Sequence, residues 1–173
     1  MRPRYALAKR KAKELLHLGG VTKPQVPVER LAALVDAEIK FEPFAGAMSG
    51  MIYRKDEGGA IIGVNSMHPT TRRRFTIAHE LGHLMLHGDE LHIDEGFPFA
   101  FRDEISSLAV DPAEIEANQF AAELLMPEAW IAAEVRVQHL DIESEDFIEA
   151  LARKFGVSVQ SMTHRLSSLG VMK

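Results

Sequence analysis

A chain of 173 residues with 46% hydrophobic content can bury one sizeable core and is too short for two large domains, so a single domain over residues 1–173 is expected. It has no cysteine, which excludes disulfides, thiolate zinc sites and cysteine nucleophiles, so any metal must be held by His, Asp or Glu. The net charge of −5 gives no general electrostatic reason to expect nucleic-acid binding, no apolar run reaches membrane-spanning length and no secretory signal is visible, so a cytoplasmic protein with no membrane partner is expected.

The start is basic: Arg2, Arg4, Lys9, Arg10, Lys11 and Lys13 precede the first acid, Glu14. A transit peptide or membrane-surface helix has such a charge pattern. Here Ala6, Leu7, Leu15, Leu16 and Leu18 interleave with the cations and Gly19-Gly20 ends the pattern, as in a solvated helix packed on a domain. Val21 to Val28 carries two prolines and reads as a connection, and Glu29 to Asp36 resumes helical spacing through Leu31, Leu34 and Val35. The period then changes. Glu38 to Phe44 alternates polar with apolar residues, and Met51–Tyr53 and Ala60–Val64 flank Lys55-Asp56-Glu57-Gly58-Gly59, which predicts a strand followed by a β-hairpin. Between them Gly46-Ala47-Met48-Ser49-Gly50 reads as a loop that misses the spacing of a serine nucleophile elbow, so Ser49 has no catalytic role.

The stretch Arg72 to His87 contains His79-Glu80-Leu81-Gly82-His83. Phe75, Ala78, Leu81, Leu84 and Leu86 give it helical spacing, Pro69 suits a first turn, and Gly88 reads as its stop. On a helix, histidines four apart are offset by only about 40° and one turn, roughly 6 Å, so both imidazoles reach one ion from the same face. Glu80 on the adjacent flank suits a carboxylate that takes a proton from water on the metal rather than ligating it. Gly88 to Val110 is a long connection, of a kind that often carries function. Asp111 and Pro112 then cap and open a helix to Pro127, and a further helix runs through Val137. The end is a helix pair, with Ser144 and Ser158 as caps and Gly156 and Gly170 as stops.

A hydrolytic metal site needs a third protein ligand and an open position. His87 lies a further turn along the same helix and cannot close a compact tetrahedron, so it reads as a packed or supporting histidine. Asp89 falls where a metzincin places its third ligand, but Leu86 stands where those enzymes need glycine to turn the chain. Glu114 and Asn118 share a helix face with small Ala117 and Ala121, which would let that helix approach the histidines closely, whereas Glu116 points roughly 160° away from Asn118. Glu114 is therefore the favoured ligand, and Asn118 could hold the outer nitrogen of a ligand histidine and fix its tautomer. The alternative is that Glu114 is only a favourable charge at a helix N-terminus.

These residues together resemble the ImmA/IrrE family of metallopeptidases, members of the zincin group. The resemblance rests on Asn65-Ser66 with Pro69, the Arg72-to-His87 block, Phe101-Arg102-Asp103 with Ser106-Ser107, Glu114 to Pro127, and Phe155-Gly156-Val157-Ser158 with Arg165-Leu166 and Leu169-Gly170. It implies an α+β, zincin-like single domain in which a small sheet packs on the histidine helix. The expected divisions are N-terminal helices over 1–37, the sheet over 38–65, metal-site helices over 66–137 and the C-terminal helix pair over 138–173. It also implies zinc on His79, His83 and Glu114, with Glu80 as base; manganese or another divalent ion suits the same donors. Asn118 stands where comparable zincins often have Asp, and an amide orients a histidine without raising its basicity. The family typically cleaves Xre-type transcriptional repressors, releasing stress or mobile-element genes, so the expected partner is such a repressor.

Tyr53, His92, Arg102 and His139 are candidate oxyanion donors, and an exposed edge of the Met51-to-Val64 hairpin is a candidate peptide-binding strand. The rival function is a helix-turn-helix DNA-binding regulator with a metal-sensing site and no turnover, because Ala150 to Ser158 followed by Arg165-Leu166 has that pattern. Its second helix offers only His164 and Arg165 as cations, and Asp141, Glu143, Glu145, Asp146 and Glu149 precede it, which would repel phosphates.

Overall fold

Nine consecutive residues, Phe75 to His83, are buried in the middle of one helix, α3 (Thr70–Leu86). A helix buried all round lies at the centre of its domain rather than on the surface. The structure, a computed structural model, describes residues 2–46, 48–88, 91–94, 111–137 and 144–172. Its remaining helices are α1 (Tyr5–Leu18), α2 (Val28–Leu34), α4 (Pro112–Leu125), α5 (Glu128–Val137), α6 (Glu145–Phe155) and α7 (Val159–Ser168); its strands are β1 (Ala37–Glu42), β2 (Gly50–Arg54), β3 (Ala60–Asn65) and β4 (Leu91–Asp94). The fold class is α+β, in one domain, as expected.

The four strands form one sheet in the order β1-β3-β2-β4. The hairpin is antiparallel as its sequence predicts, with Ile52 opposite Ile62, while β1 pairs with β3 in parallel. The strand β4, from the segment read as a long connection, pairs with β2. This corrects the expected peptide-binding edge: β2 and β3 are both interior, and among the described residues the sheet's edges are β1 and β4. Strand parity puts Gly50, Ile52 and Arg54 toward α3, so Tyr53, 44% exposed, lies on the opposite face and is no oxyanion donor.

Helix α3 rests on β2 and β3 and packs against α4, and α1 packs on α4 through Ala8, Ala12, Leu15 and Leu16. Each such fully buried Leu contributes roughly 1.5–3 kcal/mol. The basic face of α1 is answered by acids of its neighbours, Lys9 by Glu128 at 3.1 Å and Lys13 by Glu123 at 3.6 Å. Asp111, Ser144 and Ser158 each accept a backbone N–H in the first turn of the helix they precede. Gly156 ends α6 at φ +68°, where only glycine is unstrained, and Arg74 and Gln25 close over it.

The stop of α3 differs from the expected glycine. Its cap residue His87 is extended, and the last carbonyls are taken by arginines from elsewhere: Arg54 of β2 donates to Leu84 at 2.7 Å and also to His83 and His87, and Arg4 donates to Leu86. Positive charge there also complements the helix dipole.

Arg4 is further clamped to Glu116, through its backbone N–H at 2.7 Å and its guanidinium at 2.7–3.1 Å. The Arg4 guanidinium, hydrogen-bonded to Glu116, outweighs burial and holds that carboxyl below its ordinary 4.5. A lowered folded value means that the stabilisation is complete above about pH 4.5 and fades as the pH falls through the lowered value. Glu116→Gln should therefore flatten the acid limb of a stability-versus-pH curve from urea unfolding; an unchanged limb would contradict this role.

Candidate metal centre

Burying ionisable groups is costly unless they are paired or put to use. Yet α3 buries His79, Glu80 and His83 within little more than one turn, at 4%, 0% and 3% exposure. The two imidazoles face α4. The Nε2 atoms of His79 and His83 are 3.1 Å apart, and the Glu114 carboxylate lies 3.3 Å from the first and 3.1 Å from the second. These three are the His/Asp/Glu group among the described residues whose donor atoms converge within 4.8 Å.

The geometry fits a tetrahedral ion. Ligand bonds of about 2.0–2.1 Å place neighbouring donor atoms about 3.3 Å apart, close to the 3.1 Å between the two Nε2 atoms, while Glu114 offers its Oε2 to His79 and its Oε1 to His83. The donors are also of the type such a site uses, imidazole nitrogens and a carboxylate with no thiolate. Burial would raise the Glu114 carboxyl, but hydrogen bonding and attraction from His79 and His83 outweigh it and hold the group well below the usual carboxylate range, so it is present as the anion.

Asn118 lies one turn after Glu114, and its Oδ1 accepts a hydrogen bond from Nδ1 of His79 at 3.1 Å. An amide oxygen can only accept, so the proton belongs on Nδ1 and the lone pair of Nε2 is turned toward the triangle. Losing that orientation should weaken metal binding by about 10–100-fold in Asn118→Ala, measured by competition with a chromogenic chelator. Unchanged affinity would reduce Asn118 to a packing residue.

The other predicted positions separate cleanly. Glu116 is turned to Arg4, and His87 has its Nε2 3.8 Å from Glu116 rather than at the triangle. Asp89, the His92 side chain, Arg102 and His139 lie outside the described residues. Ser49 is buried and accepts a hydrogen bond from Arg72 at 2.8 Å, which holds the loop before β2.

Two further residues shape the site and escape sequence reasoning. A Cβ on Gly50 would sit 2.4 Å from Thr76 Cγ2 and 3.2 Å from Glu80 Oε1, so only glycine lets β2 lie directly beside that carboxylate. Arg54 fixes the turn that carries His83 by binding its carbonyl. The glycine was visible, but as a loop residue, and nothing local tied either residue to a helix some thirty positions away.

Comparison with known proteins agrees with this architecture. The profile of the IrrE N-terminal-like domain, Peptidase_M78, matches residues 34–167. An uncharacterized immunity region protein 2 of Bacillus phage phi105 is 36% identical over 84 residues, 49% of this chain and 48% of that protein. A solved structure, a Mycobacterium tuberculosis transcriptional regulator, shares the fold at a TM-score of 0.56 and 21% identity, covering 94% of this chain and 46% of that one. The chain thus accounts for about half the length of these relatives. Since the family profile runs from the end of α2 through the sheet and both site helices into α7, the chain belongs to the IrrE N-terminal-like (Peptidase_M78) family.

Proposed function

We propose that His79, His83 and Glu114 hold one divalent ion, best zinc, and that the protein is an endopeptidase whose substrate is another protein, an Xre-type transcriptional repressor. The observation that carries the reading is the convergence of three donor atoms within 4.8 Å beside a fully buried glutamate on the same helix. When bound, such an ion supplies Lewis acidity, lowering the pKa of water toward 7 and polarising a carbonyl. Glu80 accepts the proton of the attacking water and delivers it to the leaving amine. Asn118 keeps the His79 lone pair aimed at the ion, and β2 at Gly50 walls one side of Glu80, where a lower local dielectric strengthens every charge interaction. Glu114, the one donor with a quarter of its side chain open, marks the side from which substrate approaches.

The repressor substrate is supported by the family and by likeness to a phage protein named for its immunity region. A single ion and base can cut many bonds, so selectivity must come from surfaces outside the centre. The test mixes purified protein, zinc and a candidate repressor and reads products by mass spectrometry. One defined cut, lost with chelator, supports the proposal. An intact repressor with zinc present, together with salt-sensitive binding of the protein to specific DNA, would favour the regulator reading instead.

A further inference from the structure

Gly82 stands between the two site histidines in α3, on the side that meets α4. A Cβ there would lie 2.9 Å from Ala117 Cα, 3.1 Å from Ala117 O and 3.3 Å from Ala117 Cβ. Two of those atoms are backbone and cannot rotate away, so any side chain at 82 must push α4 back. Ala117 is fully buried and lies on the face of α4 that carries Glu114, three residues earlier. Displacing α4 therefore displaces Glu114. Ligand distances in a working metal site tolerate only about 0.2 Å, less than the shift needed to bring a carbon from 2.9 Å to ordinary contact. Alanine in place of glycine ordinarily strengthens a helix interior, so a glycine here gives up helix propensity, and the close crossing is what it gains.

We infer that Gly82 is a positioning residue for the metal centre: its missing side chain sets the separation of α3 and α4, and with it the reach of Glu114 to the two histidines. The inference rests on the ligand set proposed above, but it adds a residue that touches neither ion nor substrate.

Cobalt(II) serves as the probe, because its visible absorption reports the geometry and number of ligands. Wild type and Gly82→Ala are titrated with cobalt(II), zinc affinity is measured by chelator competition, and the metal-free proteins are melted to check folding. Gly82→Ala should bind about 10–100-fold more weakly and show an altered, weaker spectrum at saturation. A merely structural effect would lower the melting point and leave the saturated spectrum unchanged, which overturns the inference. Should Gly82→Ala fail to fold, Ala117→Ser crowds the same contact with one added oxygen; a spectral change supports the inference and an unchanged spectrum and affinity overturn it. Wild type that takes up no cobalt or zinc would overturn the ligand set itself, whereas a wild-type spectrum and affinity in folded Gly82→Ala would overturn only the role of Gly82.

Discussion

Glu80→Gln should abolish cleavage while the protein keeps its metal and its fold. The carboxylate is fully buried on α3 yet stands outside the His79–His83–Glu114 triangle, so metal content measured by elemental analysis should not change. The amide keeps the shape and removes the proton acceptor, and loss of a general base typically lowers turnover by about 10²–10⁴-fold. An amide also carries no charge to desolvate, so the melting temperature should hold or rise. His79→Ala makes the contrast, losing metal and activity together. Cleavage at a near-wild-type rate by Glu80→Gln would remove Glu80 from the chemistry, whatever the metal does.

What the sequence makes legible here is what lies within a few residues of itself. The four-residue spacing of His79 and His83, the same spacing of Glu114 and Asn118, and the caps at Asp111, Ser144 and Ser158 are local patterns, and the structure has all of them. The contacts that join distant segments are not legible in the same way. Strand β4 has no distinguishing pattern until β2 is there to pair with it. The partner of β1 is β3 rather than its neighbour β2, a choice made by the sheet as a whole. Gly50 and Gly82 look like any loop or helix glycine until the opposing backbone or side chain is placed against them. Even the end of α3, read locally as a stop at Gly88, is set by Arg54 and Arg4, which arrive from other elements.

The C-terminal helix pair shows why a local pattern can also mislead, and it carries the second large effect. Arg165 would be a cation of the recognition helix in a helix-turn-helix reading, but it is only 4% exposed. Its guanidinium is paired with Glu123 of α4, itself fully buried, and its Nε donates to the Met126 carbonyl at 3.0 Å. The exposed residues of α7, Val159, Gln160, Ser167 and Ser168, are uncharged, so the helix presents no cation for a phosphate apart from half-buried His164. Arg165→Ala leaves Glu123 as a buried charge whose remaining cation is Lys13, 3.6 Å away. Breaking one side of a buried pair costs about 3–5 kcal/mol, which in a domain of this size lowers the melting temperature by roughly 10 °C. Replacing both partners, Arg165→Met with Glu123→Leu, should recover most of that loss, because the apolar pair has no charge to desolvate. Thermal unfolding of the two single variants and the double variant measures the coupling. If Arg165→Ala melts with wild type and instead abolishes salt-sensitive binding to DNA, Arg165 belongs to a nucleic-acid surface; if it melts early and no such binding exists to lose, α7 is a structural brace that fastens the end of the chain to the helix bearing Glu114.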